Sequence, residues 1–235
     1  RVLDDIPTAD IAVLREGEIA FGNLVAYVNG DATSDGLAQL VVRQDTGYVT
    51  VDAAAIPGER DINVMPAYDL VDISTYSRAG TVGAFYCFKP KETRFATVLS
   101  NRGCRAQCTF CSVRNFNGQG VRQRSIESVI DEVETLVDEH GIGHIMWLDD
   151  DLLKDHARAV SLFETLTKRN LDLTWDATNG VIASSCTDEV IHAAAESGCI
   201  ALNIGMESGN SKILKSVRKP GTVETFLAAA EVLRR

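Results

Sequence analysis

Three apolar runs recur in the second half of the chain: Ile145-Met146-Trp147-Leu148, Leu171-Asp172-Leu173-Thr174-Trp175 and Ala201-Leu202-Asn203-Ile204. Their starts at 145, 171 and 201 leave about 26 to 30 residues per repeat, the length of a strand, a crossover helix and two turns. Helical spacing fills the intervals, through Val160, Phe163 and Leu166 and then through Val190, Ile191 and Ala194. Such alternation demands a parallel sheet, because parallel neighbours can be joined only by a long crossover, and that crossover is right-handed. Phe95-Ala96-Thr97-Val98-Leu99 reads as a first strand. Ser125 then N-caps a helix whose Ile126, Val129, Ile130, Val133, Leu136 and Val137 lie on one stripe, and His140-Gly141 ends it. Trp147 and Trp175 fall on strands and suit core packing.

The first repeat is longer because a loop follows its strand: Cys104-Arg105-Ala106-Gln107-Cys108-Thr109-Phe110-Cys111. Three thiolates in eight residues turn toward one point only if the loop wraps an inorganic centre. Structural zinc takes four protein ligands, its cysteines usually as two separated pairs, and no second pair is present. A cubane iron–sulfur cluster on three cysteines keeps one iron open for a small molecule to chelate. The alternatives are a zinc site and a four-cysteine electron-transfer cluster, for which Cys87 is a fourth ligand if it is not an idle thiol. Cys186 and Cys199 flank a helix and read as core, while His140 and His144 bracket a turn and His156 and His192 fall on helices, without ligand spacing.

At 45% hydrophobic content, 235 residues bury a substantial core. A net charge of −10 argues against a nucleic-acid surface. Locally, Arg102, Arg105, Arg114, Arg122 and Arg124 run without an intervening acid, either offsetting an anionic cluster or forming a solvated loop. Six cysteines, three clustered and three scattered, do not form a disulfide framework and fit a reducing cytoplasm. No apolar run has membrane-spanning length. The chain starts at Arg1 without a signal segment, so it is expected to begin within a longer protein. Before these strands, Ala9 to Leu14 is a short apolar run, Phe21, Leu24, Val25 and Val28 have helical spacing, Asp45-Thr46-Gly47 turns a hairpin, and Pro57 to Pro66 is a linker.

The cysteine loop, with an aromatic before its last cysteine, resembles that of the radical S-adenosylmethionine (SAM) enzymes. The resemblance implies a [4Fe-4S] cluster on Cys104, Cys108 and Cys111. SAM chelates its open iron, and one electron cleaves SAM to a 5′-deoxyadenosyl radical. Gly205-Met206-Glu207-Ser208-Gly209 resembles the family segment whose Glu and Ser contact the ribose or the methionine carboxylate, which implicates Glu207 and Ser208. By the same resemblance Phe110, Asp149, Asp150 and Asn179 are SAM contacts, the aspartates standing where many members carry Gly-Gly-Glu. The plainer readings are that Asp150 or Asp151 caps a helix and that Asn179-Gly180 is a turn. The order strand, Glu-Gly-Glu, helix, hairpin, linker resembles the end of a cobalamin-binding domain in the B12-dependent subfamily. The cobalamin-ligating Asp-x-His-x-x-Gly loop is not in the sequence.

The expectation is therefore an α/β protein. Residues 1–65 are a small α+β remnant of a cobalamin-binding-type domain with its linker, and residues 66–235 a partial (β/α)6 radical SAM TIM-like barrel holding strands one to four. With strands five and six missing, the isolated chain is expected to be an aggregation-prone, incomplete catalyst. The resemblance further implies an electron donor such as flavodoxin or ferredoxin, and, in a longer protein, cobalamin, with methyl transfer or radical cyclisation as the outcome. The competing class is an iron–sulfur electron-transfer or binding protein without SAM chemistry. The substrate, small molecule or peptide, is not named by the sequence.

Overall fold

The computed structural model describes residues 2–79 and 92–235, so Cys87 lies outside the described residues. The chain divides into two compact units, Arg1–Ile62 with Asn115–Gly118, and Asn63–Arg114 with Gln119–Arg235.

In the first unit, strand β1 (Ile11–Val13), helix α1 (Glu18–Val28) and the hairpin of β2 (Leu40–Gln44) and β3 (Gly47–Val51) follow one another. The three strands form an antiparallel sheet in the order β1-β2-β3, with Ile11 opposite Val42 and Val42 opposite Val49. Gly47 takes φ +129°, which lets Asp45-Thr46 turn the hairpin as the sequence leads one to expect. The apolar stripe of α1 does not turn inward: Phe21, Val25 and Val28 are exposed, and Ala20 is the helix's buried residue.

The second unit begins its sheet with β4 (Phe95–Val98). A two-residue ribbon pairs β5 (Asn101–Arg102) with β6 (Arg122–Gln123), and α2 (Ile126–Asp138) follows. Strands β7 (His144–Trp147), β8 (Thr174–Val181) and β9 (Cys199–Ile204) alternate with α3 (His156–Arg169) and α4 (Asp188–Glu196). Helices α5 (Ser211–Ser216) and α6 (Val223–Arg234) complete the unit. The four sheet strands lie in the order β4-β7-β8-β9, all parallel.

The period-two alternation of each strand separates the sheet's faces. Ala96, Val98, Ile145, Trp147, Trp175 and Ala177 enter the main core with the buried faces of the helices. Phe163 of α3 stacks on Trp175 with ring centroids 4.8 Å apart, and the Trp175 indole N–H reaches Ser197 Oγ at 3.0 Å. In α2, Val129, Ile130, Val133 and Leu136 are buried. Each such side chain contributes about 2 kcal/mol, against a few tenths for helix propensity, so the stripe decides that this segment is a packed helix. Phe95, Thr97, His144, Met146, Thr174 and Asp176 share the opposite face. There the fully buried His144 ring lies 2.9 Å from Thr174 Oγ1 and 3.3 Å from Asp176 Oδ2, a strand position rather than a turn.

Two further expectations change. Helix α3 is capped by Asp155, whose Oδ1 accepts from Arg158 N at 3.0 Å, so neither Asp150 nor Asp151 serves as its cap. Thr178-Asn179-Gly180 does not leave the sheet. It bulges within β8, between the pairs Ala177 with Leu202 and Val181 with Ile204, and Gly180 at φ +98° permits the bend. No helix among the described residues is long and apolar enough to cross a membrane.

Candidate functional site

A cavity of about 250 Å³ opens at the C-terminal ends of the parallel strands, where strand-to-helix loops converge. Cys104, Cys108 and Cys111 line it together with Asp150, Asn179 and Glu207. Phe110 also faces it and is 57% exposed.

The chain reaches the first cysteine through a position that only glycine fits. Gly103 has φ +90°, and a Cβ there would stand 2.3 Å from the carbonyl oxygen of Gly120. Beyond it, Ala106 N–H points at Cys104 Sγ (3.4 Å), Cys111 N–H donates to Cys108 O (3.2 Å), and Thr109 N–H donates to Val217 O (3.0 Å). These bonds wrap the loop around its own thiols and tie it to the end of α5.

The three aspartates after β7 hold the loop from beneath. Asp149 is buried and accepts from Ser100 N (3.0 Å), Ser100 Oγ (2.6 Å) and Asn101 N (2.8 Å). Asp150 Oδ2 accepts from Gly103 N at 3.2 Å, and this residue does face the cavity. Asp151 is 1% exposed; its Oδ2 accepts from Arg105 N (3.2 Å), lies 3.0 Å from Arg105 Nε and 4.0 Å from Cys104 Sγ. The Arg105 guanidinium continues to Lys154 O and Ser185 Oγ. Burial pushes Asp149 up to about 6 against the pull of its Ser100 and Asn101 hydrogen bonds and of the Arg158 charge. Asp151 is likewise raised by burial and pulled back by Arg105. Burial pushes the Cys104 thiol up to about 11, opposed by the Ala106 N–H, and raises Cys108 as well. Both thiols are therefore protonated at neutral pH in the metal-free loop, and a bound metal displaces those protons.

The opposite wall is formed after β9. Glu207 sits at φ +65°, and its Oε1 meets Lys219 Nζ at 2.9 Å. A Cβ on Gly205 would come within 2.9 Å of that Oε1 and 3.1 Å of that Nζ, so the glycine makes room for the pair. Asn179, on the β8 bulge, donates to Leu148 O (3.0 Å) and Asp149 O (3.2 Å), linking the ends of β7 and β8.

Two residues expected to touch a cofactor do not line this cavity. The Asp149 carboxylate lies under the loop, because three donors draw it there, and not on the cavity wall. Ser208 is also off the wall, and its Oγ accepts from Asn210 N (3.1 Å), bracing the residue that caps α5. Nor do the arginines act as one cloud: Arg124 is buried in an ion pair with Glu132, Arg105 pairs with Asp151, and Arg114 lines the cavity. Lys219 lies in the run Lys219-Pro220-Gly221-Thr222, 12 residues after the Glu207 it meets, and sequence reasoning gave it no role. The Arg105–Asp151 pair spans 46 residues and has no local signal.

The donor set suits a cubane. Three soft thiols share one wall, and among the described residues that wall carries no fourth Cys and no His. No three His, Cys, Asp or Glu of the described residues are grouped to hold a single ion, and a cubane does not ask for it, since each thiolate takes a separate iron.

The chain is 29% identical to the cytidylyl-2-hydroxyethylphosphonate methyltransferase of Streptomyces wedmorensis, over 94% of this chain and 45% of that protein. It is 27% identical to an anaerobic magnesium-protoporphyrin IX monomethyl ester cyclase of Cereibacter sphaeroides, over 100% of this chain and 37% of that one. Among solved structures, the cobalamin-dependent S-adenosylmethionine radical enzyme OxsB, with aqua-cobalamin and S-adenosylmethionine bound, shares the fold with a TM-score of 0.76 at 20% identity, over 99% of this chain and 32% of that one. The chain thus spans less than half the length of these relatives. The family model of the radical SAM superfamily matches residues 98–235, from the end of β4 through the cysteine loop and every later strand, and the chain belongs to that superfamily of enzymes.

Proposed function

We propose that residues 66–235 form a radical SAM core in which Cys104, Cys108 and Cys111 hold a [4Fe-4S] cluster with one iron open to SAM. The observation that carries this reading is that the three thiols share one cavity with Asp150, Asn179 and Glu207 at the C-terminal ends of the strands. When bound, the cluster supplies the electron that cleaves SAM to a 5′-deoxyadenosyl radical. The chain's own residues bind and orient. Glu207 accepts the ribose hydroxyls, Lys219 fixes its carboxylate, Asn179 and Asp150 bound the opposite side, and Phe110 covers the loop beside the third thiol. The positive φ of Glu207 supports this role, since backbone strain of that kind gathers at ligand sites.

The electron comes from a low-potential donor such as flavodoxin or ferredoxin, in a reducing cytoplasm. Residues 1–65 are assigned to a cobalamin-binding-type domain and linker. With cobalamin in the whole protein, the reaction is methyl transfer to an unreactive carbon or radical cyclisation, in keeping with relatives named as a methyltransferase and a cyclase.

Anaerobic reconstitution of the chain tests the reading. About four irons per chain are expected, lost when any one of the three cysteines is replaced by Ala, and SAM is expected to change the electron paramagnetic resonance spectrum of the reduced cluster. Stoichiometric zinc in place of iron, or a spectrum indifferent to saturating SAM, would overturn it, the latter in favour of an electron-transfer protein.

A further inference from the structure

Asp151 is a costly side chain near the cysteine loop. It is 1% exposed, and its Oδ1 has no hydrogen-bond partner among the described residues. A carboxylate buried with half its acceptors unmet is expensive, and neither helix capping nor hydrogen bonding to the loop requires it. Asp155 caps α3, and the Arg105 N–H is an acceptor's task that a neutral Asn could perform. What a neutral residue could not supply is a negative charge 4.0 Å from Cys104 Sγ.

That charge has a partner of opposite sign on the loop itself. Arg105 follows Cys104 directly, its Nε lies 3.0 Å from Asp151 Oδ2, and its guanidinium is held by Lys154 O and Ser185 Oγ. The chain therefore fixes an anion beside the sulfur and a cation against that anion, the anion buried and the cation 36% exposed. Solvent screens the exposed charge more than the buried one, so the pair does not cancel at the sulfur.

Given Cys104 as a cluster ligand, on which this rests, we propose that Asp151 and Arg105 are positioning residues that set the cluster's reduction potential. Asp151 lowers it and Arg105 limits the lowering. A negative charge beside a ligand sulfur opposes the arrival of an electron, and net charge and hydrogen bonds at the sulfurs are among the controls on such potentials. The consequence is a stronger reductant toward SAM that a biological donor can still reduce.

The test is a redox titration of the anaerobically reconstituted full chain, followed by electron paramagnetic resonance, with iron measured in each sample. Asp151→Asn is expected to raise the reduced-to-oxidised ratio at a fixed potential at least about threefold, or about 30 mV at 59 mV per decade for one electron. Arg105→Gln is expected to lower the ratio by a similar factor, and Arg105→Lys to restore the wild-type value. A residue that only held the loop would not give shifts of opposite sign. Fully loaded Asn and Gln variants that both match wild type, or that shift in the same direction, would overturn the inference alone. If Asp151→Asn holds no iron, the Arg105 variants decide: a ratio lowered by Gln and restored by Lys supports the proposal, and equal potentials overturn it. Wild-type protein that assembles no cubane would remove the cluster assignment itself, and this inference with it.

Discussion

The two walls of the cavity are built on opposite principles. Under the cysteine loop, Asp149 and Asp151 are 1% exposed and grip backbone N–H groups from the stretch after β4. On the far wall, the Glu207 and Lys219 side chains that meet at 2.9 Å are 40% and 18% exposed. A buried carboxylate that loses its partners leaves groups unpaired at about 1–3 kcal/mol each, whereas an exposed ion pair is worth about 0–1 kcal/mol. The loop wall is thus part of the fold, and the far wall is a surface laid over it. Substitutions should separate accordingly, with stability lost on one side and ligand affinity on the other.

The largest effect is expected at Gly103. Alanine there would set a Cβ 2.3 Å from a backbone oxygen and hold a non-glycine residue at φ +90°, so the β5–β6 ribbon must open. Gly103→Ala should lower stability by roughly 3 kcal/mol and abolish iron binding, as read by chemical denaturation and iron content. A variant as stable as wild type would erase the distinction between the walls.

Next is Asp149→Ala, which strands two backbone N–H groups and a hydroxyl but also removes a costly buried anion, for a net loss of about 2 kcal/mol at neutral pH. The pH dependence isolates the second term. The folded pKa of Asp149, about 6, stands above its usual 3.8, so the folded state binds this proton more tightly than the unfolded state. The stability it contributes is fully present below about 3.8 and is lost as pH rises through about 6, for roughly 3 kcal/mol in all. Thermal melts of the metal-free protein between pH 4 and 7 should show this loss for wild type, and Asp149→Asn should flatten that part of the profile. Parallel profiles would mean that Asp149 is not the group responsible.

The contrast between the walls also marks what the sequence could tell. Repeat spacing pointed to three of the four parallel strands and a separate apolar run to the first, although the strand expected at Leu171–Trp175 runs from Thr174 to Val181. Helical periodicity named the buried face of α2, because these patterns follow from local geometry. The cysteine loop, Asn179 and Glu207 were picked out by short local motifs, and they line the same cavity. Legibility stopped where a role depends on residues far apart in the chain. Asp149 meets Ser100 across 49 residues and Asp151 meets Arg105 across 46, and nothing local distinguishes such carboxylates from helix caps. Gly180 could signal either a turn or a bulge, since both use positive φ, and only pairing with β9 decides. The stripe of α1 shows a third limit: periodicity says which face is apolar and not what covers it, and Phe21 stays 58% exposed.

A smaller effect, confined to affinity, is expected on the far wall at Glu207. Glu207→Ala should leave the melting temperature within the range of surface substitutions, about ±0.5 kcal/mol, and leave iron content unchanged. It should weaken SAM binding by about 1.5 kcal/mol, roughly tenfold in Kd, through loss of a charged acceptor. Calorimetric titration with SAM checks this, and a variant that loses stability but not affinity would move Glu207 to the class of Asp149.

The smallest effect belongs to Lys219. Its ammonium touches Glu207 Oε1, but the pair is part exposed and the Lys219 backbone N–H is separately held by Leu214 O at 2.9 Å, so the chain path survives loss of the charge. Lys219→Met keeps the aliphatic stem against the cavity and should change stability by less than about 0.5 kcal/mol. Glu207 would then be free to leave the orientation in which its carboxylate faces the cavity, and the cost to SAM binding should be only that of re-ordering one side chain, about 0.5–1 kcal/mol. In the double variant with Glu207→Ala the Lys219 effect should disappear, because a residue that acts only by holding another has nothing left to hold. Additive losses would instead mean that Lys219 contacts the ligand directly, and the far wall would then carry two independent binding groups rather than one acceptor and its brace.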